Sequence, residues 1–220
     1  LLILQLGLLQ LKNSQIVVSG IKMQYKPAID KFISQLPYQL TNAQQKVFKE
    51  IVNDMTSENQ MNRLIQGDVG SGKTIVALMA ILLTILNGYQ AVFMVPTGIL
   101  AEQHYQTIKV ALESYDVVIE LLTGSVTKKE KERIKQDIKN NECQLVIGTH
   151  ALLEENVEFA KLGLVVTDEQ HRFGVKQRAV LPSKSNPHII VMTATPIPRT
   201  LSLILYGDLD ISIIDELPPN

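Results

Sequence analysis

A doubly wound α/β domain with a mostly parallel sheet is the fold this sequence predicts, and three observations predict it. From Thr41 onward, short apolar runs alternate with stretches of helical periodicity, the order expected when crossover helices cover both faces of a parallel sheet. A glycine-rich turn, Gly67-Asp68-Val69-Gly70-Ser71-Gly72-Lys73-Thr74, separates the first such run from the first long helix. An acidic pair, Asp168-Glu169, ends another apolar run, and this places it at the carboxyl edge of the sheet, where such folds bind ligands.

Taken in order, the elements begin with an apolar stretch over residues 1–11. It is too short to span a bilayer and has no basic segment before it, so it reads as a helix continuing from an upstream unit. Residues 26–40 carry Pro27 and Pro37 and read as a connector. Strands are expected at 63–66, 91–95, 117–122, 144–147, 164–167 and 189–192, with helices at 75–86, 100–112, 128–139 and 177–181. The prolyl tail from Asp215 to Asn220 is linker-like. The expected organisation is therefore an upstream domain end and short helical connector over 1–36, one α/β lobe over 37–207, and the start of a linker over 208–220. The chain reads as a piece of a longer protein.

Composition narrows the function classes. The 220 residues are 45% hydrophobic, ample for a core, and 21 basic against 22 acidic side chains leave no global field for a polyanion or a membrane surface. Any nucleic-acid contact must be local. A single cysteine, Cys143, makes no intrachain disulfide and no metal cluster; it reads as a small buried hydrophobe in a reducing compartment. His150 and His171 have no Cys/His spacing that would make a zinc site. The stretch 128–139 interleaves lysines with acids and lacks aromatics, which favours a solvated helix face over direct DNA contact.

The turn from Gly67 to Thr74 has the composition and the strand-to-helix context of a phosphate-binding P-loop. Its glycines let backbone N–H groups close around phosphates, the helix N-terminus favours negative charge, and Lys73 adds a point charge near the terminal phosphates. Thr74 is then placed to ligate magnesium. The Asp168-Glu169 pair alone reads equally as a solvated helix start. Beside a P-loop it gains a chemical role, with Asp168 holding magnesium and Glu169 orienting and deprotonating the attacking water.

Gly67 to Thr74, Asp168-Glu169-Gln170-His171 and Thr193-Ala194-Thr195 resemble motifs I, II and III of the superfamily-two (DEAD/DEAH-like) helicases, in that order. The strings running on to Gly174 and Thr200, with Tyr206-Gly207-Asp208-Leu209-Asp210 and the Asp215-Glu216-Leu217-Pro218-Pro219 tail, look specifically like the RecG-type family. The transcription-repair coupling factors are similar but differ in the acidic box. The resemblance covers nearly all of the chain from Leu36. It implies a RecA-like P-loop NTPase fold, the first of two motor lobes, with ATP and Mg2+ as cofactors and the end of a wedge domain upstream.

By that resemblance Leu40-Thr41-Asn42-Ala43-Gln44 looks like an adenine-reading Q motif, Gln44 pairing donor and acceptor with the base edge. A capped helix start at Thr41 or Asn42 is compatible with it. The segment from Pro96 to His104 resembles motif Ia, which implies DNA contacts by Thr97, Gly98 and Gln103, although Gly98 stands where the family pattern has glutamate. Gly124, Thr149 and His150 match further DNA-contacting positions, where small residues let backbone amides approach phosphates; singly, each reads as a turn. Gln170, His171, Thr193, Ala194 and Thr195 are implied to couple the nucleotide to DNA movement.

The function implied is the motor lobe of an ATP-dependent DNA helicase that acts on forked or branched duplex, completed by a second helicase lobe in the same full-length chain. A monomer in the bacterial cytoplasm, associated with the nucleoid and with no membrane, is the accompanying expectation. Two other classes share these motifs. One is a module that binds nucleotide and DNA without turnover; the other is a protein-translocation ATPase.

Overall fold

The structure, a computed structural model, describes residues 18–149, 152, 157–168, 186–195 and 209–218. His150, Glu169, Gln170, His171 and the helix expected at 177–181 lie outside the described residues. Strands β1 (Asn62–Gly67), β2 (Gln90–Met94), β3 (Ile119–Leu122), β4 (Leu145–Gly148), β5 (Leu162–Asp168), β6 (His188–Thr193) and β7 (Asp210–Ile214) form one sheet. Their spatial order is β3-β4-β2-β5-β6-β1-β7, and every pairing is parallel. All seven strands thus point their carboxyl ends to one edge.

Helices α1 (Ala28–Ser34), α2 (Asn42–Met55), α3 (Lys73–Leu86), α4 (Gly98–Ala111) and α5 (Lys128–Lys139) complete the described elements. Alternation along the strands assigns the faces. Ile65, Phe93, Ile147, Val166 and Met192 join the core beneath the first four helices. Their neighbours Val92, Met94, Val146 and Val165 point the other way, against Ile134 and Ile138 of α5. Helix α3 is buried from Val76 through Thr84, as a helix apolar all round must be, and it carries the chain from β1 across β6 and β5 to β2. The lysine-rich α5 buries only Ile134 and Ile138; Arg133 pairs there with Glu120, Glu130 and Asp137.

Expected and observed elements differ in three places. Strand β3 begins at Ile119 rather than 117, because the N–H of Val118 is taken by the Gln144 side chain (2.8 Å) and pairing with β4 begins at Leu145. The connector packs on the lobe: Ile29 and Phe32 of α1 are buried in its core, as is Met23 before it. The segment read as linker from 208 onward forms, over Asp210–Ile214, an edge strand of the sheet, in register with Arg63–Gly67 of β1. Its alternation is visible in burial, with Ser212 and Ile214 inside and Ile213 outside.

A buried ion network fixes that strand. Arg63 on β1 donates to Asp54 Oδ2 (2.6 and 2.8 Å), Glu50 Oε2 (3.2 Å) and Ser212 Oγ (2.7 Å), and Ser212 Oγ donates to Glu50 Oε2. One guanidinium therefore joins β1, β7 and α2. Arg63→Ala leaves Asp54 without its cation and Glu50 and Ser212 with only each other, and a loss on the order of 3 kcal/mol is expected because both acids retain some solvent. Urea denaturation measures it; a loss under about 1 kcal/mol would show that the network does not hold β7.

The start of the described chain is tied down as well. His188, buried on β6, accepts the Met61 N–H at Nδ1 (3.0 Å) and faces the Ile21 carbonyl with Nε2 (2.7 Å). These partners select the neutral Nε2–H tautomer. Burial likewise holds its pKa below the ordinary imidazole value.

Candidate functional site

Strand β1 delivers Gly67 to the carboxyl edge, where the chain turns back on itself to open α3. A Cβ on Gly67 would lie 2.5 Å from Ser71 Oγ and 2.9 Å from the Ile214 carbonyl, so a side chain there would push the loop off the strand ends. Gly72 caps α3 with φ +82° and ψ 28°, left-handed backbone that favours glycine. A Cβ on Gly72 would also overlap the Gln44 amide. No side chain caps α3, so the N-terminus of the helix, which favours negative charge, opens on the loop. Lys73 folds back over the loop, its Nζ donating to the carbonyls of Gly67 and Asp68, both at 2.8 Å. Thr74 follows it in the first turn of α3.

Ser71 Oγ is buried and has no hydrogen-bond partner. An orphaned hydroxyl beside an ammonium and an uncapped helix start fits an anionic ligand with oxygen acceptors. The loop also borders a cavity of about 430 Å³, walled by Gln66 and Asp68 on one side and by Ile213, Asp215, Glu216 and Leu217 on the other. The cradle fits the phosphates of a nucleotide. Among the described residues no three His, Cys, Asp or Glu side chains form a metal cluster.

Gln44 lies within the expected Q motif, and its amide is engaged. Thr41 and Gln44 form a reciprocal capping box at the start of α2: the Gln44 N–H donates to Thr41 Oγ1 (3.2 Å), and Gln44 Oε1 accepts from the Thr41 N–H (3.0 Å). Gln44 Nε2 then donates to the Ser71 carbonyl (2.8 Å). The buried amide joins α2 directly to the P-loop. Reading a base edge with both of its functions requires breaking two of these bonds.

Asp168 ends β5 opposite Met192 of β6, and Thr193, the next residue of β6, lies opposite Gln66 of β1. One strand therefore separates Asp168 from the loop, a gap of roughly 10 Å from two strand spacings. Above that intervening strand, Thr193 and Thr195 join hydroxyls at 3.0 Å, and the Thr195 N–H donates to Thr193 Oγ1 (3.2 Å), while Ala194 borders the cavity. His104, which the sequence reading passed over, approaches from α4: its Nε2 lies 3.8 Å from Asp168 Oδ2, and its ring meets Phe93 edge-on. Burial lowers the His104 pKa and the Asp168 charge opposes that shift.

The described residues implied to touch DNA occupy the other half of the same edge. Thr97 is the N-cap of α4, its hydroxyl accepting the Leu100 N–H (3.3 Å). Gly98 and Gly124 have open space where a Cβ would stand. Gln103 is exposed on α4, and Thr149 follows β4, its N–H reaching the Leu122 carbonyl (3.4 Å). The strand order thus divides the edge, with the phosphate-loop residues over β5-β6-β1 and these residues over β3-β4-β2.

Parallel sheet, P-loop and acidic strand end together define a P-loop nucleotide-binding lobe. The sequence pattern of the DEAD/DEAH box helicases matches residues 41–204, and the chain belongs to that family. It is 50% identical over its whole length to the ATP-dependent DNA helicase RecG of Thermotoga maritima, and 54% identical over 86% of its length to RecG of Aquifex aeolicus. It spans 28% and 24% of those relatives. A structure of RecG bound to a three-way DNA junction superposes with a TM-score of 0.86 at 46% identity, covering 99% of this chain and 30% of that one. The UvsW helicase of bacteriophage T4, at 16% identity and a TM-score of 0.63 over 90% of this chain and 70% of that one, shares the fold.

Proposed function

We propose that this chain is the ATP-binding motor lobe of an ATP-dependent DNA helicase that remodels forked or branched DNA, in partnership with a second lobe of the same full-length protein. The observation that carries the reading is the pairing of the Lys73 loop with Asp168 across the single strand β6. In this reading Gly67, Asp68, Val69, Gly70, Ser71 and Gly72 wrap the phosphates, and Lys73 meets their terminal charge. Thr74 and Asp168 hold Mg2+, which supplies charge neutralisation on the phosphate oxygens when bound. Glu169 holds and deprotonates the attacking water, and Gln170, His171 and the Thr193–Thr195 turn pass the nucleotide state toward the DNA half of the edge. Relatives that are RecG helicases over the whole of this chain support the DNA substrate. A monomer in the bacterial cytoplasm, near the nucleoid, accompanies this proposal; among the described residues no helix is long and apolar enough to cross a membrane.

Two substitutions in the full-length protein test the division of roles. Glu169→Gln keeps the shape and loses the proton acceptor, so nucleotide and magnesium should bind normally while hydrolysis stops. Asp168→Asn should instead raise the magnesium concentration needed for half-maximal nucleotide binding by about tenfold, the loss expected when one charged ligand becomes neutral. Magnesium titrations of nucleotide binding decide between them, and the reverse pattern would exchange the two assignments.

A further inference from the structure

The segment after β7 makes a long-range contact with a short path to the phosphate loop. Glu216 Oε2 accepts the N–H of Ala43 at 3.1 Å, across 173 residues of sequence. Ala43 is the second residue of α2, so its amide belongs to the first turn, which has no acceptor within the helix. A carboxylate is the favoured partner at that end. The next residue, Gln44, exchanges two cap bonds with Thr41 and bonds the Ser71 carbonyl. Asp215, Glu216 and Leu217 themselves wall the cavity whose opposite side is Gly67, Asp68 and Ser71.

We infer that Glu216 is a positioning residue for the nucleotide site: by capping the start of α2 it holds the 215–217 segment as one wall of the P-loop cavity and keeps Gln44 on the Ser71 carbonyl. Two hydrogen bonds make up the path, from Glu216 to the Ala43 amide and, one residue further along α2, from Gln44 to the loop. Neither Glu216 nor Ala43 belongs to the phosphate loop itself. Their effect falls on the shape of the empty site and so on how tightly nucleotide binds, rather than on the transfer step.

The inference rests on the proposed nucleotide-binding reading, and its test separates the two. In the full-length protein, magnesium-ADP binding and the KM and kcat for ATP are measured for Glu216→Ala, Glu216→Gln and Lys73→Ala. Glu216→Ala is expected to weaken nucleotide binding and raise KM about three- to tenfold, the scale of one lost helix cap, with kcat at saturating ATP within about twofold of the parent. Glu216→Gln retains an acceptor oxygen and should recover most of the affinity. Wild-type affinity in Glu216→Ala overturns the inference, as does a fall in kcat at unchanged KM, or equal losses in the alanine and glutamine variants. Should Lys73→Ala also bind nucleotide normally, the P-loop reading itself has failed. If only Lys73→Ala is impaired, the fault lies with Glu216 alone.

Discussion

Replacing Lys73 by alanine in the full-length protein is expected to abolish ATP hydrolysis while leaving the lobe folded. Its ammonium sits over the loop at 2.8 Å from the carbonyls of Gly67 and Asp68, at the mouth of an uncapped helix and beside the orphaned Ser71 hydroxyl. On the proposed reading, phosphate oxygens of a bound triphosphate would take the place of those carbonyls. Removing it withdraws a fixed positive charge from where negative charge gathers in phosphoryl transfer, and donors of this kind contribute roughly 10²–10³-fold or more to turnover. The fold should survive because the packing of α3 begins further along, at Val76. Steady-state ATPase assays beside thermal melts give the answer. Near-normal turnover in a folded variant would remove Lys73, and with it the P-loop, from the mechanism.

Residues 1–220 alone are expected to bind nucleotide weakly and to hydrolyse it at about a thousandth or less of the full-length rate, because an arginine finger from a facing surface contributes about that much. The described half of the edge that carries the loop includes no arginine: Arg63, at the far side of β1, is spent on Glu50, Asp54 and Ser212. The loop itself is complete, so what binding remains should still fall when Lys73 is lost. Forked DNA should stimulate turnover little, since a single lobe has no partner to close against. An ATPase assay with and without forked DNA measures this. Strong DNA-dependent turnover by the isolated chain would mean that the site is complete within one lobe or assembled between copies of it.

The parts of the fold legible in the sequence are those governed by local period. Six strands and three helices, α3, α4 and α5, lie within a few residues of their expected places, because buried parallel strands are short apolar runs and the helices between them keep helical spacing. A capped start for α2 was legible too, with Thr41 or Asn42 as candidates; the structure selects Thr41, and the part Gln44 plays in the cap was not foreseen. What the sequence did not disclose are partnerships made across the chain. Strand β7 is a five-residue run beside a prolyl tail, and pairing with β1, the Arg63 bond to Ser212 and the burial of Ile214 in the core make it a strand. The Gln44 bond to Ser71, the approach of His104 to Asp168 and the Glu216 cap all join residues from different elements. Nothing in the local spacing marks them. The site followed the same division: the loop and the acidic strand end were readable as motifs, whereas the second engagement of Gln44 was not.

The parallel pairing of β7 with β1 has a mechanical consequence. A pull on the residues beyond Ile214, directed along the strand, loads the backbone bonds between Arg63–Gly67 and Asp210–Ile214 together, in shear, instead of unzipping them one at a time. The Arg63 guanidinium resists the same slip as a side-chain pin between the two strands. The strand that takes this load is β1, whose last residue is Gly67. Tension on residues 215–218 would therefore be passed first to the strand that ends at the base of the phosphate loop.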